Sequence, residues 1–141
     1  TVQTEAGFIT RQETVSMIPP VVLNPQPSDL ILDMAAAPGS KTSQLLEVVN
    51  LPASPNDIEP TGCVVANDSD VKRAYMLVRQ VRRINTPALF ITSCDARFFP
   101  LLKDPSKHSS GQDEGIFDRV LADVPCSGDG TSRKNPGIWK Q

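Results

Sequence analysis

At 141 residues the chain is sized for one domain. Its 14 basic and 16 acidic side chains leave a net charge of -2, so no overall positive field draws it onto nucleic acid and any such contact is a local patch. Cys63, Cys94 and Cys126 form no C-x-x-C pair, against a disulfide framework or structural zinc and in favour of a reducing compartment; the apolar runs are strand-sized, so neither a membrane span nor a secretory signal is read.

Thr10 and Glu13 in TRQETVSMI have capping-box spacing, and Val15, Met17 and Ile18 supply an apolar face. They predict a short helix stopped by Pro19 and Pro20. LILDM at 30–34 is apolar without polar alternation, as in a strand covered on both faces. SKTSQLLEVV, from Ser40 onward, is a helix with Leu45, Leu46 and Val49 inward.

The proline-rich stretch 51–62 is a loop, and CVVAND at 63–68 is the second strand. A third helix follows, capped by Asp70, with Val71, Ala74, Leu77, Val78, Val81 and Ile84 at three-to-four-residue spacing. Lys72, Arg73, Arg79, Arg82 and Arg83 fall largely elsewhere and read first as a solvated face. ALFITSCDA at 88–96 is the third strand, 103–115 a polar insert holding His108, and FDRVLADVPCSGDG a fourth strand ending in a glycine-rich turn. The alternation predicts an α/β, doubly wound, mainly parallel sheet, with 1–28 a helical lead-in and 29–141 the core.

Each strand finishes on an aspartate: Asp33, Asp68, Asp95 and Asp123. In an open parallel sheet the carboxyl ends face one crevice where ligands bind, so four acids are expected to share one rim. The turn after the first strand, DMAAAPGSKT at 33–42, lacks the glycines of a Walker loop and of a dinucleotide fingerprint. Carboxylates around a small-residue turn repel a di- or triphosphate and suit a ligand with a cationic centre and a ribose diol. S-adenosylmethionine carries a sulfonium and an ammonium and no phosphate. The small turn lets backbone and ligand approach closely, and amides opening the next helix can receive its carboxylate.

ITRQETVSMIPP (9–20), DMAAAPGSKT (33–42), NDSD (67–70), CDA (94–96) and DVPCSGDGTSRKN (123–135) together resemble the eukaryotic RNA cytosine-5 methyltransferases of the NOL1/NOP2/Sun-domain class, closest to their tRNA-modifying branch. The resemblance implies a Rossmann-like class I methyltransferase core, here its first half with about four strands, and S-adenosylmethionine as cofactor. It implies that Ala35, Ala36, Ala37, Pro38, Gly39, Ser40 and Lys41 wall the methionine part of the cofactor. Asp68 then holds the ribose hydroxyls, Asp95 contacts the adenine end, and Asp123 sits beside cofactor and target base. Ala35 stands where many members have cysteine, a position that offers mainly backbone. The implied partner is RNA, most closely tRNA, in the nucleus, with no metal.

Carbon 5 of cytosine is a weak nucleophile, and the usual solution is a thiolate that adds at carbon 6, after which carbon 5 attacks the methyl and a base removes its proton. The base must be extruded or single-stranded. Cys126 is the cysteine on a turn at the crevice, whereas Cys63 and Cys94 sit in apolar strands. Chemistry alone makes Cys126 the nucleophile, as in DNA cytosine methyltransferases. The resemblance instead gives the Pro125-Cys126 thiol to product release and expects the nucleophile on a later Thr/Ser-Cys strand end, beyond Gln141, so residues 1–141 alone are expected not to turn over. Catalytic candidates are therefore Cys126, Asp123 and Lys41, the last facing the base or covering the helix start. Arg133 and Lys134, with Lys140 near Trp139, are the RNA-contact candidates. Two rivals stand beside this reading: a DNA cytosine-5 methyltransferase using Cys126, and a non-catalytic fragment that binds cofactor or RNA.

Overall fold

A computed structural model describes residues 11–102, 115–127, 130 and 137. Four parallel strands, β1 (Leu30–Asp33), β2 (Cys63–Asn67), β3 (Leu89–Thr92) and β4 (Arg119–Leu121), form one sheet in the order β3-β2-β1-β4. Helix α1 (Thr14–Leu23) precedes β1, α2 (Ser40–Val49) links β1 to β2, and α3 (Val71–Val81) links β2 to β3. The chain winds outward through β2 and β3, then returns to the other side of β1. The strand order thus reverses at β1, the place where such sheets open a crevice.

Pairing in register puts Ile31, Val64, Leu89 and Arg119 in one row, and Asp33, Ala66, Ile91 and Leu121 in another. Side chains two apart share a face. On this face Ile31, Val64, Ala66 and Leu121 pack with Leu45, Leu46 and Val49 of α2 and Leu77 and Val81 of α3. The intervening row runs Phe90, Val65, Leu32, Val120 across the other face. Leu32 and Val65 are buried there, while Phe90 and Val120 are exposed.

Three expectations change at the elements. Helix α1 does not stop at Pro19 and Pro20; both lie inside it, and it runs to Leu23 with Asn24 in the left-handed region closing it. A proline at position 20 removes the donor for the Ser16 carbonyl, and that oxygen accepts instead from Gln44 Nε2 of α2 at 3.4 Å. The helix starts at Thr14 with Glu13 at its N-cap; Thr10 of the expected capping box lies outside the described residues. Its apolar side chains Val15, Met17 and Ile18 are exposed rather than inward, and Pro20 is its buried residue. The third strand is shorter than read: it ends at Thr92, so Cys94 sits in the turn beyond it. The polar insert's residues 103–114 lie outside the described residues.

Candidate active site

The carboxyl ends of the four strands border one open cleft of about 930 Å³. Met34 and Ala35 line it after β1, Asp68, Ser69 and Asp70 after β2, Asp95, Ala96 and Arg97 after β3, and Asp123 through Cys126 after β4. Of the residues singled out by sequence, the cleft gathers Ala35, Asp68, Asp95, Asp123 and Cys126. Lys41 reaches it indirectly: its Nζ lies 2.6 Å from Asp123 Oδ2, tying the first turn of α2 to the segment after β4.

The DMAAAPGSKT turn is held from behind. Ala36 N donates to the Asn67 carbonyl at 2.7 Å and Ala37 N to Asp68 Oδ2 at 3.1 Å, so these two amides are occupied. Ala36, Ala37 and Gly39 are buried, Pro38 is exposed, and the Ala37–Pro38 bond is cis. Gly39 has φ +110°, and a Cβ there would lie 2.9 Å from Leu77 Cδ1 of α3. Its absence of a side chain serves the packing of the turn on α3.

Asp33 does not join the rim. It shares the helix-facing side of β1 with Ile31, is 1% exposed, and accepts from Thr42 Oγ1 of α2 at 2.7 Å. Its Oδ1 has no hydrogen-bond partner among the described residues. Burial pushes its carboxyl up to about 6, against the pull of the Thr42 hydroxyl, the Lys41 ammonium and the Ala35 amide, with Asp123 adding to the rise. The reason is strand parity: the last residue of a strand whose odd positions face the helices must turn its side chain under the turn.

The remaining carboxylates are tightly placed. Asp68 Oδ1 accepts from Asp70 N at 3.1 Å, and its Oδ2 lies 3.4 Å from Arg73, which also donates to the Ala37 carbonyl at 2.7 Å. Arg73, read as a member of a solvated basic face, is thus committed to the cleft wall. Asp95 is gripped by Arg97 through a 2.6 Å contact, and that guanidinium holds its carboxyl down at about 2. Asp70 caps α3 as expected, accepting from Lys72 N and Arg73 N.

Sequence reasoning gave no role to Asn67. Fully buried, it donates to the Met34 carbonyl at 3.1 Å and the Cys94 carbonyl at 2.9 Å, and accepts from Thr92 Oγ1, Cys94 N and Cys94 Sγ. One amide therefore locks together the turns after β1, β2 and β3. The available signal was a polar residue closing the apolar run CVVA. Cys94 is bound into this network, Cys63 is half-buried with its thiol pushed up by burial, and Cys126 is exposed at the cleft. Arg133, Lys134, Lys140, Trp139 and His108 lie outside the described residues.

Four aspartates against two arginines line the cleft. That donor set favours a ligand with positive charge and hydroxyls and disfavours a polyphosphate. Among the described residues no group of three or more His, Cys, Asp or Glu could hold a metal ion, and no helix is long and apolar enough to cross a membrane.

A family model described as 16S rRNA methyltransferase RsmB/F matches residues 20–141. A multisite-specific tRNA:(cytosine-C(5))-methyltransferase of Saccharomyces cerevisiae is 50% identical over 139 residues, covering 99% of this chain and 20% of that protein. A tRNA (cytosine(34)-C(5))-methyltransferase of Drosophila melanogaster is 53% identical over 138 residues, covering 98% of this chain and 18% of its own length. The chain thus spans about a fifth of these curated relatives. The crystal structure of NSun6 from Pyrococcus horikoshii with SFG superposes with a TM-score of 0.64 at 30% identity, covering 90% of this chain and 28% of that one.

Proposed function

The chain belongs to the RsmB/F methyltransferase family, and from that membership we propose that it forms the cofactor side of an S-adenosylmethionine-dependent enzyme that makes 5-methylcytosine in RNA, tRNA being the substrate. The carrying observation is the convergence of Ala35, Asp68, Asp95, Asp123 and Cys126 on one acidic cleft at the strand-order reversal. When bound, the cofactor supplies an electrophilic methyl on a sulfonium. Asp68 and Asp70 border the place for a ribose diol, Asp95 with Ala96 the adenine end, and Met34 with Ala35 the methionine end. The wall of Ala36, Ala37, Pro38, Gly39 and Ser40 supports that end from behind. Yeast and fly relatives named as tRNA cytosine-C5 methyltransferases support the reaction, and the neighbour solved with SFG supports an occupied site.

In the reaction a thiolate sulfur bonds carbon 6 of cytosine, and carbon 5 takes the methyl as the methyl's bond to the sulfonium breaks and leaves a neutral thioether. A base then removes the carbon-5 proton as the bond between the cysteine sulfur and carbon 6 breaks to release the product. Asp123 holds the pyrimidine edge while Lys41 fixes its orientation, a reading supported by the 2.6 Å pairing of the two side chains. Cys126 follows at the same rim and assists release. Arg133 and Lys134 contact the RNA beyond the turn, and the enzyme works in the nucleus, which imaging of the tagged protein checks. The deciding experiment incubates a tRNA transcript and S-adenosylmethionine with the Cys126→Ala variant of a polypeptide that extends beyond Gln141 to include the expected Thr/Ser-Cys strand end. The expected result is unchanged cofactor binding by calorimetry and an accumulating protein–RNA adduct that survives detergent. A variant that binds cofactor yet neither methylates nor traps RNA makes Cys126 the nucleophile and favours the DNA-type mechanism.

A further inference from the structure

Residues 71–84, VKRAYMLVRQVRRI, hold five cations and no acid. A helix whose charges serve only solvation gains from alternating signs at three and four residues and loses from like charges there. Ala74, Leu77 and Val81 of α3 are buried. At 100° per residue, Lys72, Tyr75, Met76 and Arg79 fall on the opposite side, and Arg82 extends the row into the short 3-10 turn Arg82–Ile84. All five are exposed, with Tyr75 at 68% and Met76 at 51%. Arg73, Arg97, Arg119 and Lys41 have carboxylate partners. Lys72, Arg79 and Arg82 have no ion pair among the described residues, although acids outnumber bases in the chain.

We propose that this stripe of α3, Lys72, Tyr75, Met76, Arg79 and Arg82, is a docking surface for the RNA backbone outside the cleft that takes the target base. The inference rests on the RNA reading above. The first turn of α3 carries Asp70 and Arg73 into the cleft, so a strand leaving the cleft on this side meets Lys72 first. Ten residues of helix reach about 15 Å, a span over which Lys72, Arg79 and Arg82 can meet successive phosphates of one strand. Tyr75, between the cations, offers a ring on which an unpaired base can stack.

The test is fluorescence anisotropy of a labelled tRNA transcript with the purified protein across a salt series, alongside calorimetry with S-adenosylmethionine. Lys72→Gln/Arg79→Gln/Arg82→Gln is expected to flatten the slope of log affinity against log salt by about 2 to 3. It should weaken binding at low salt at least tenfold and leave cofactor affinity unchanged. The charge-keeping Arg79→Lys/Arg82→Lys protein should retain the slope. An unchanged slope in the triple variant overturns the proposal, whether or not binding is weaker. Failure of the parent to bind tRNA while it binds cofactor overturns the RNA reading itself and this inference with it.

Discussion

Asp33 shows how a single carboxyl takes its properties from strand direction. Its folded value of about 6 lies above the ordinary 3.8. Between those values the folded state holds a proton that the unfolded chain has lost. The stabilising contribution is therefore complete below about pH 4 and disappears as pH rises through about 6. Two units correspond to at most about 3 kcal/mol. Asp33→Asn keeps an acceptor for Thr42 and removes the titration, so the urea midpoint of the parent should fall more than that of the variant between about pH 5 and 7.5. Every other titrating group is common to both, and equal slopes would exclude Asp33 as the source. Asp95 acts in the opposite sense and elsewhere: held at about 2 by Arg97, it favours the fold above pH 4 and loses that effect only in stronger acid, outside this window. Asn67 carries a different kind of load, because Asn67→Ala strands the half-buried carbonyls and amide it now satisfies. A loss of about 2 to 4 kcal/mol in chemical denaturation is expected, with weaker S-adenosylmethionine binding in calorimetry because Asp68 and Asp95 ride on the turns it joins. Wild-type affinity in a destabilised Asn67→Ala protein would confine the residue to a structural role.

At the scale of elements, the packing of α3 on the turn before α2 depends on one missing Cβ. Gly39→Ala meets both a positive φ of 110° and Leu77 Cδ1 at 2.9 Å, and should cost about 1 to 3 kcal/mol, read as a lowered urea midpoint. A midpoint equal to the parent's would mean that α3 shifts freely. How far elements could be read from residues follows from which contacts fix them. β1 and β2 are continuous apolar runs covered on both faces, α2 and α3 have clear apolar stripes, and Asp70 caps α3 through its own backbone neighbours; all of these are local signals. The prolines of α1 misled because the relief of the Ser16 carbonyl comes from Gln44, 28 residues away. The rim of four aspartates became three because chain order marks strand ends but not which face the last side chain takes. Counting alternate positions back from Asp33 to Ile31 would have placed it under the turn. Arg73 and Asn67 were hidden for a related reason: of their partners, Ala37, Met34 and Cys94 come from other turns of the sheet, and only Asp68 is a near neighbour of either in the chain.

Among the described residues, the three helices lie on the face that buries Ile31, Val64 and Leu121, with Leu23 of α1 packed on the same core. The opposite face carries the row Phe90, Val65, Leu32, Val120, whose two ends are 64% and 46% exposed. These ends belong to β3 and β4, the outer strands of the sheet among the described residues. An apolar row that meets a strand edge is a template for another copy. A polypeptide of residues 1–141 prepared by itself is therefore expected to self-associate at micromolar concentration in light scattering. Phe90→Lys/Val120→Lys places one charge at each end of the row without touching Leu32 or Val65, the buried pair between them, and should return most of the material to monomer while leaving the circular dichroism spectrum unchanged. Association that persists in this variant would move its cause to another exposed apolar surface, such as Val21 and Val22 of α1. The two surfaces separate further in Val21→Lys/Val22→Lys, which should leave association intact if the sheet face drives it.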